Sequence, residues 1–369
     1  MTEDGRIALL FATSGHSGVD RVVANLLPEL ARSGQAFDLL RIRGHGPYLE
    51  ALPANVRDRP LPAAHRNTVL PGLVRYLRRE RPQALLTASH RLNRAALQAR
   101  YLTRLPSRVV IRMGMTLRGQ AEALGPRRGR RLLCAMRRWY PRAEAVVCPS
   151  HGLGEELREL AGVPAERLHV IPNPIVTARL ERLAAEPVDD EWLGGEGPPV
   201  VLAAGSLESR KDLATLLRAF ARLRQRRPAR LIILGEGGER GALERQAAAL
   251  GIAADVRLPG FEPNPYRYMA RADAFALTSR REGSGAVLVE ALACGTPAVA
   301  TDCPVGPGEI LQDGAVGPLA PVGDDRAVAE GLERVLADPP SAAALRAAAE
   351  PFRAEASAAA YLAALGVAS

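Results

Sequence analysis

The chain has 369 residues, room for two domains, and its 47% apolar content is that of a folded globular protein rather than a disordered one. Aromatics are only 4%, which speaks against a base-stacking nucleic-acid surface; the net charge of +9 divides into 28 Arg against 14 acids over residues 1–175 and 21 basic residues against 26 acids over 176–369. No apolar run is long enough to span a membrane, Met1-Thr2-Glu3-Asp4 is unlike a signal peptide, and Cys134, Cys148, Cys294 and Cys303 form no C-x-x-C pair, so a cytoplasmic protein without a disulfide framework, zinc site or redox site is expected.

Arg6–Thr13 reads as a buried strand, followed by the loop Ser14-Gly15-His16-Ser17-Gly18. A helix from Val19 to Ser33 comes next, with Val22, Val23, Leu26, Leu27 and Leu30 on one face. Phe37–Ile42, Ala84–Ala88, Val109–Met113 and Ala143–Cys148 read as further strands, with helical stretches between most of them. That alternation predicts a parallel sheet covered on both faces. The densest basic run is Arg127-Arg128-Gly129-Arg130-Arg131, continued by Arg137, Arg138 and Arg142, with Leu132, Leu133, Met136 and Trp139 at helical spacing. Two readings stay open here: a helix lying on an anionic membrane surface, or a docked helix whose arginines face water.

Val170–Ile175, with Asn173 between two prolines, and the Pro-, Gly- and acid-rich stretch Pro187–Pro199 read as hinge and linker. The second half then repeats the scheme. Strands are expected at Val200–Ala204, Arg230–Leu234, Val256–Leu258, Ala274–Thr278 and Ala298–Thr301, and helices near Leu213–Arg226, Arg240–Leu250, Ala286–Ala293 and Asp325–Leu336. The expectation is α/β: two doubly wound, Rossmann-like domains facing across a cleft, over residues 1–175 and 176–350, with a helix in 351–369 packing back on one of them.

Two features of the second half bear on chemistry. The run Arg281-Glu282-Gly283-Ser284-Gly285-Ala286 leads from a strand through a tight loop into a helix carrying Glu290, eight positions after Glu282. A helix start offers free N–H groups and a positive dipole end to a phosphate, and carboxylates accept from sugar hydroxyls. The chain also has 48 Arg but a single Lys, Lys211, in the strand-to-helix loop Gly205-Ser206-Leu207-Glu208-Ser209-Arg210-Lys211-Asp212. A compact ammonium there suits a diphosphate.

These pieces, with Leu234-Gly235-Glu236-Gly237, Asn264-Pro265-Tyr266, Ala291-x-Ala293-x-Gly295-x-Pro297 and Cys303-Pro304-x-Gly306-Pro307-x-Glu309, resemble the retaining glycosyltransferases of family 4, which have the GT-B fold. Gly18-Val19-Asp20-Arg21-Val22 is similar to that family's glycine-rich loop and first helix. The resemblance is dense in the second half and thin from about 50 to 140. It implies a donor-sugar ligand in Glu282, a ribose ligand in Glu290, and a diphosphate ligand in Lys211 helped by Arg210. It further implies a backbone cradle at Gly283, Ser284, Gly285 and Ala286, and a close approach of Gly18 to the diphosphate. It implies no metal and no cofactor beyond a nucleotide-sugar donor, UDP-linked, carrying a hexosyl or N-acetylhexosaminyl group to a glycan or to a lipid-linked saccharide at the inner membrane face; whether the enzyme itself is peripheral there turns on the two readings of the basic helix.

Three positions depart from the family pattern. Ser206 stands where relatives often have Arg, Ser284 where they have a bulky residue, and Arg112-Met113-Gly114-Met115 lacks a histidine common there. His90 and His16, both in loops that follow strands, are the candidates in its place. The rival readings are a non-catalytic sugar-nucleotide-binding protein and a basic nucleic-acid-binding protein; nucleic acid is not the expected partner.

Overall fold

The computed structural model describes residues 5–11, 18–43, 51–195 and 197–367. The chain divides into two compact units. One runs to Pro174 and takes in the segment from Ala354; the other is Ile175–Arg353.

Among the described residues the first unit holds seven parallel strands: β1 (Ile7–Leu10), β2 (Phe37–Arg41), β3 (Val56–Pro60), β4 (Ala84–Ala88), β5 (Arg108–Arg112), β6 (Ala145–Cys148) and β7 (Leu168–Val170), in the order β3-β2-β1-β4-β5-β6-β7. The second holds six: β8 (Val200–Ala204), β9 (Arg230–Leu234), β10 (Val256–Gly260), β11 (Ala274–Leu277), β12 (Ala298–Thr301) and β13 (Leu319–Ala320), in the order β10-β9-β8-β11-β12-β13. All the pairings are parallel, as when Leu9 lies between Leu39 and Leu86, or Val201 between Leu231 and Ala274.

Strand residues point alternately to the two sides of each sheet, and each side carries its own core. In β1, Ala8 and Leu10 join one core while Ile7 and Leu9 join the other. In β8, Val200 and Leu202 face one layer and Val201 and Ala203 the opposite one. This two-sided burial is why the strands read as continuous apolar runs. The edge strands β3, β7 and β13 lack such runs, and the sequence pattern passes over them.

The chain passes from the first unit to the second after Pro174 and returns after Arg353. In the first unit the outgoing and returning segments are held together. Ser357 Oγ donates to the Pro172 carbonyl at 2.8 Å, and the buried Arg112 guanidinium donates both to Asn173 Oδ1 (2.6 Å) and to the Tyr361 hydroxyl (3.1 Å). In the second unit, Ile175 and Val176 N–H groups both reach the Phe352 carbonyl. The helix Ala354–Leu365 buries Ala358, Tyr361, Ala364 and Leu365 in the core beside helix Gly18–Arg32.

The stretch 187–199 is part of the second unit and does not separate the two. Leu193 is buried, Arg257 stacks 3.8 Å above the Trp192 ring, and Asp190 and Glu191 pair with the same guanidinium. The arginine-rich segment forms helix Gly125–Trp139. Its Met136 is buried and Leu132, Leu133 and Trp139 pack on the core, while Arg127, Arg128, Arg130, Arg131, Arg137 and Arg138 are exposed. Among the described residues no helix is long and apolar enough to cross a membrane.

Candidate functional site

In a doubly wound sheet, the loops leaving two neighbouring strands diverge where the strand order reverses, and a crevice opens at the carboxyl edge. In the second sheet that point lies between β8 and β11. The loop after β8 carries Lys211 and the loop after β11 carries Glu282.

The two loops are laced together. Thr278 Oγ1 donates to the carbonyls of Lys211 (3.2 Å) and Asp212 (3.1 Å), and the Arg280 N–H donates to the Arg210 carbonyl at 2.8 Å. The Arg280 guanidinium pairs with Asp212 at 3.1 Å. Lys211 lies at the end of a short 3-10 turn, just before helix Leu213–Arg226, with its stem along Gly205. A Cβ on Gly205 would stand 3.2 Å from Lys211 Cε, so glycine makes room for the stem.

Lys211 Nζ meets Glu282 Oε1 at 2.6 Å, with the two side chains only 10% and 8% exposed. Ser279 Oγ donates to the same oxygen at 2.5 Å. Ser279 is itself fully buried, and its carbonyl accepts from Thr301 Oγ1, just at the end of β12, at 2.6 Å. Two donors on one carboxylate oxygen make this a charge-assisted cluster rather than a bare ion pair. Cys303 lies close by; burial, with the Glu282 charge adding to it, pushes its thiol up to about 11, so it stays protonated.

Beyond Glu282 the loop runs through Gly283, Ser284 and Gly285 into helix Ala286–Cys294. Gly285 has φ +64° at the N-cap, and Gly306, at φ +104°, passes beneath Ser284 so closely that a Cβ on it would lie 3.0 Å from the Ser284 carbonyl carbon. Both positions therefore favour glycine. Glu290, the fifth residue of that helix, is buried, and the Tyr266 hydroxyl makes a long hydrogen bond to its Oε1 at 3.4 Å.

Lys211 and Glu282 are thus brought into contact, with Gly283, Ser284, Gly285, Ala286 and Glu290 following on one loop and helix. Arg210 is next to Lys211 in sequence, but its guanidinium turns back on its own loop, to Glu208 (2.8 Å) and Ser206 Oγ (3.1 Å). His90 belongs to the first unit, at the start of helix His90–Thr103 beside that sheet's own reversal between β1 and β4. Its Nδ1 is 3.2 Å from the Tyr140 hydroxyl, which also donates to Met113 Sδ. Burial, then Arg94 and Arg91, push the imidazole down to about 4, so it is neutral near pH 7. Gly18 begins helix Gly18–Arg32, and His16 lies outside the described residues.

Sequence reasoning missed Ser279, Thr278 and Thr301; the only signal is a hydroxyl placed directly after or at the end of an apolar strand. A cavity of about 480 Å³ lined by Trp192, Pro199, Arg227, Arg271 and Asp273 lies at the opposite, amino edge of the second sheet, away from this chemistry.

Two doubly wound parallel sheets, one with a buried ammonium–carboxylate cluster and a glycine-led helix start at its switch point, define a GT-B architecture. The family model for glycosyl transferases group 1 matches residues 187–351, and that for glycosyltransferase family 4 matches residues 16–179. The chain belongs to this glycosyltransferase family. It is similar to the N-acetylgalactosamine-N,N'-diacetylbacillosaminyl-diphospho-undecaprenol 4-alpha-N-acetylgalactosaminyltransferase of Campylobacter jejuni, at 33% identity over 199 residues, 54% of this chain and 52% of that one. It is also similar to the lipopolysaccharide core biosynthesis glycosyltransferase LpsE of Rhizobium meliloti, at 30% over 200 residues, 54% of this chain and 56% of that one. The chain spans about half the length of these curated relatives. Among solved structures, the apo lipopolysaccharide outer core galactosyltransferase WaaB superposes with a TM-score of 0.76 at 19% identity, over 98% of this chain and 99% of that one. Anabaena Alr3699/HepE in complex with UDP and glucose gives 0.74 at 19% identity, over 99% and 100%. At that identity these two structures establish the shared fold.

Proposed function

We propose that the protein is a retaining, metal-independent hexosyltransferase. It moves a hexosyl or N-acetylhexosaminyl group from a UDP-linked sugar to a glycan or lipid-linked saccharide. The observation that carries this reading is the contact of Lys211 with Glu282 at the switch point of the second sheet, beside the start of helix Ala286–Cys294.

In the proposed complex, Lys211 and the amides of Gly283, Ser284, Gly285 and Ala286 hold the diphosphate. Arg210 joins them by leaving Glu208. Glu282 accepts from the donor-sugar hydroxyls and Glu290 from the ribose hydroxyls. As the anomeric bond loosens, negative charge gathers on the departing diphosphate. The ammonium and the helix start are already fixed where that charge develops, which is the arrangement that lowers a barrier. The departing phosphate oxygen takes the proton of the acceptor hydroxyl, which attacks from the same face, and configuration is retained. The first unit's candidates are Gly18, His90 and His16; neutral His90, with Nδ1 at the Tyr140 hydroxyl, has Nε2 left to meet a hydroxyl.

A lipid-linked acceptor fits the relatives' names, one citing a diphospho-undecaprenol-linked saccharide and one lipopolysaccharide core biosynthesis. It fits as well the row of exposed arginines on helix Gly125–Trp139, which suits an anionic cytoplasmic membrane face. Beside that row Tyr101 is 69% exposed and Leu102 54% exposed, and Tyr101 meets the Trp139 ring edge-on at 6.2 Å. The test is a thermal-shift screen of UDP-, GDP- and ADP-sugars, then transfer assays with the sugar that binds. Lys211→Ala and Glu290→Ala are expected to abolish transfer while remaining folded. Wild-type turnover in either variant rejects the site.

A further inference from the structure

Lys211 and Glu282 are each other's principal partner in the structure, and neither is exposed enough for water to replace the other. The loops that carry them are tied by Thr278 and Arg280, so the charges cannot part by loop drift. A ligand anion that takes another of the three ammonium N–H donors therefore stays beside the carboxylate and shares the cation with it.

We infer that this buried pair makes the site discriminate between donor and product: a nucleotide-sugar offers a new partner to both members of the pair, whereas a nucleoside diphosphate offers one only to the ammonium. The inference rests on the proposed reading of the site. A nucleotide-sugar brings its diphosphate to Lys211 and its hydroxyls to Glu282, so both buried charges end with new partners. A nucleoside diphosphate brings only the anion. Glu282 then keeps the Ser279 hydroxyl but shares the ammonium, 2.6 Å from its Oε1, with a phosphate group drawn to the same cation. Two anions on one buried cation repel each other, and nothing else on the ligand offsets that repulsion at Glu282. The product also carries one more ionisable oxygen than the donor, because the sugar ester is gone, and the repulsion is greatest for the molecule that must leave. Glu282 thereby binds the donor sugar and weakens the hold on what remains after transfer. Ser279, which fixes Glu282 Oε1 in place, is the positioning residue of the device.

The experiment is isothermal titration calorimetry at fixed ionic strength on the full chain. The probes are whichever of UDP, GDP or ADP binds the wild type, and the glucose ester of that nucleotide. Glu282→Gln keeps the shape and removes the charge, and Glu282→Ala serves if the amide variant does not fold. Either variant is expected to bind the nucleoside diphosphate about tenfold more tightly and the glucose ester no more tightly. In a Lys211→Met background the same change at 282 is expected to shift diphosphate affinity less than twofold. Equal tightening for both ligands, weaker diphosphate binding, or a tenfold gain that persists without Lys211 each overturns the inference while leaving the proposed function standing. Binding of none of the three nucleotides to the wild type overturns the proposed function, and the inference with it.

Discussion

Lys211→Met should destabilise the second unit far more than a surface charge would. Its Nζ sits 2.6 Å from Glu282 Oε1, and the two side chains are 10% and 8% exposed. Removing one member of such a pair strands the other, at about 3–5 kcal/mol. Ser279 keeps its hydrogen bond to Glu282, so the lower end, about 3 kcal/mol, is expected. For a unit of the size of Ile175–Arg353 that is roughly 6–12 °C in melting temperature. The double variant Lys211→Met/Glu282→Gln removes both charges and should recover most of the loss, to within about 1 kcal/mol of wild type. The two tryptophans, Trp139 and Trp192, fall one in each unit, so Trp139→Phe leaves Trp192 to report on the second unit during urea unfolding. A single variant within about 1 kcal/mol of wild type, or a double variant as unstable as the single, would refute the reasoning.

His90 has its imidazole pushed down to about 4 from an ordinary 6.5, first by burial. An unfolded chain therefore binds the proton first, and the stability this residue contributes is complete above about pH 6.5 and lost as pH falls towards 4, about 3 kcal/mol in all. His90→Gln should flatten that part of the pH–stability curve, and an unchanged slope argues against the assignment. Gly285→Ala puts a side chain at φ +64° and 2.9 Å from Ile310 Cδ1, so a loss of about 1–2 kcal/mol and weaker donor binding are expected in thermal unfolding with and without nucleotide. The variant with Arg127, Arg128, Arg130 and Arg131 all changed to Ser should sediment with anionic vesicles about a hundredfold less well at low salt. Equal sedimentation removes helix Gly125–Trp139 from the membrane proposal.

The alternation of strands and helices, and the loops bearing Lys211 and Glu282, were readable because the strands are buried on both faces and because one lysine stands among 48 arginines. β3 was not, since Val56–Pro60 is a sheet-edge strand whose Arg57 and Asp58 face water. Strand order is a property of the assembled sheet, so the switch point between β8 and β11 is not written in either strand. Ser279 resembles any serine in a loop until β12 brings Thr301 to its carbonyl. The 187–199 stretch has a linker's composition, yet Trp192 and the acids beside it find Arg257, a partner 65 positions away from Trp192 that no local pattern reveals. The Ala-rich C-terminal segment was expected to dock, but its choice of unit depends on Tyr361 reaching Arg112.

That docking has a bearing on how the protein is made. The first unit owns the earliest strands of the chain, but its last helix, Ala354–Leu365, is synthesised only after the whole of Ile175–Arg353. Until that helix emerges, the apolar positions that receive Tyr361 and Leu365 stand uncovered, and the Arg112 guanidinium lacks one of its acceptors. The nascent chain must therefore carry an incomplete first unit through the production of the entire second one. A stop or frameshift between the two crossings truncates the second unit and denies the first unit its closing helix as well.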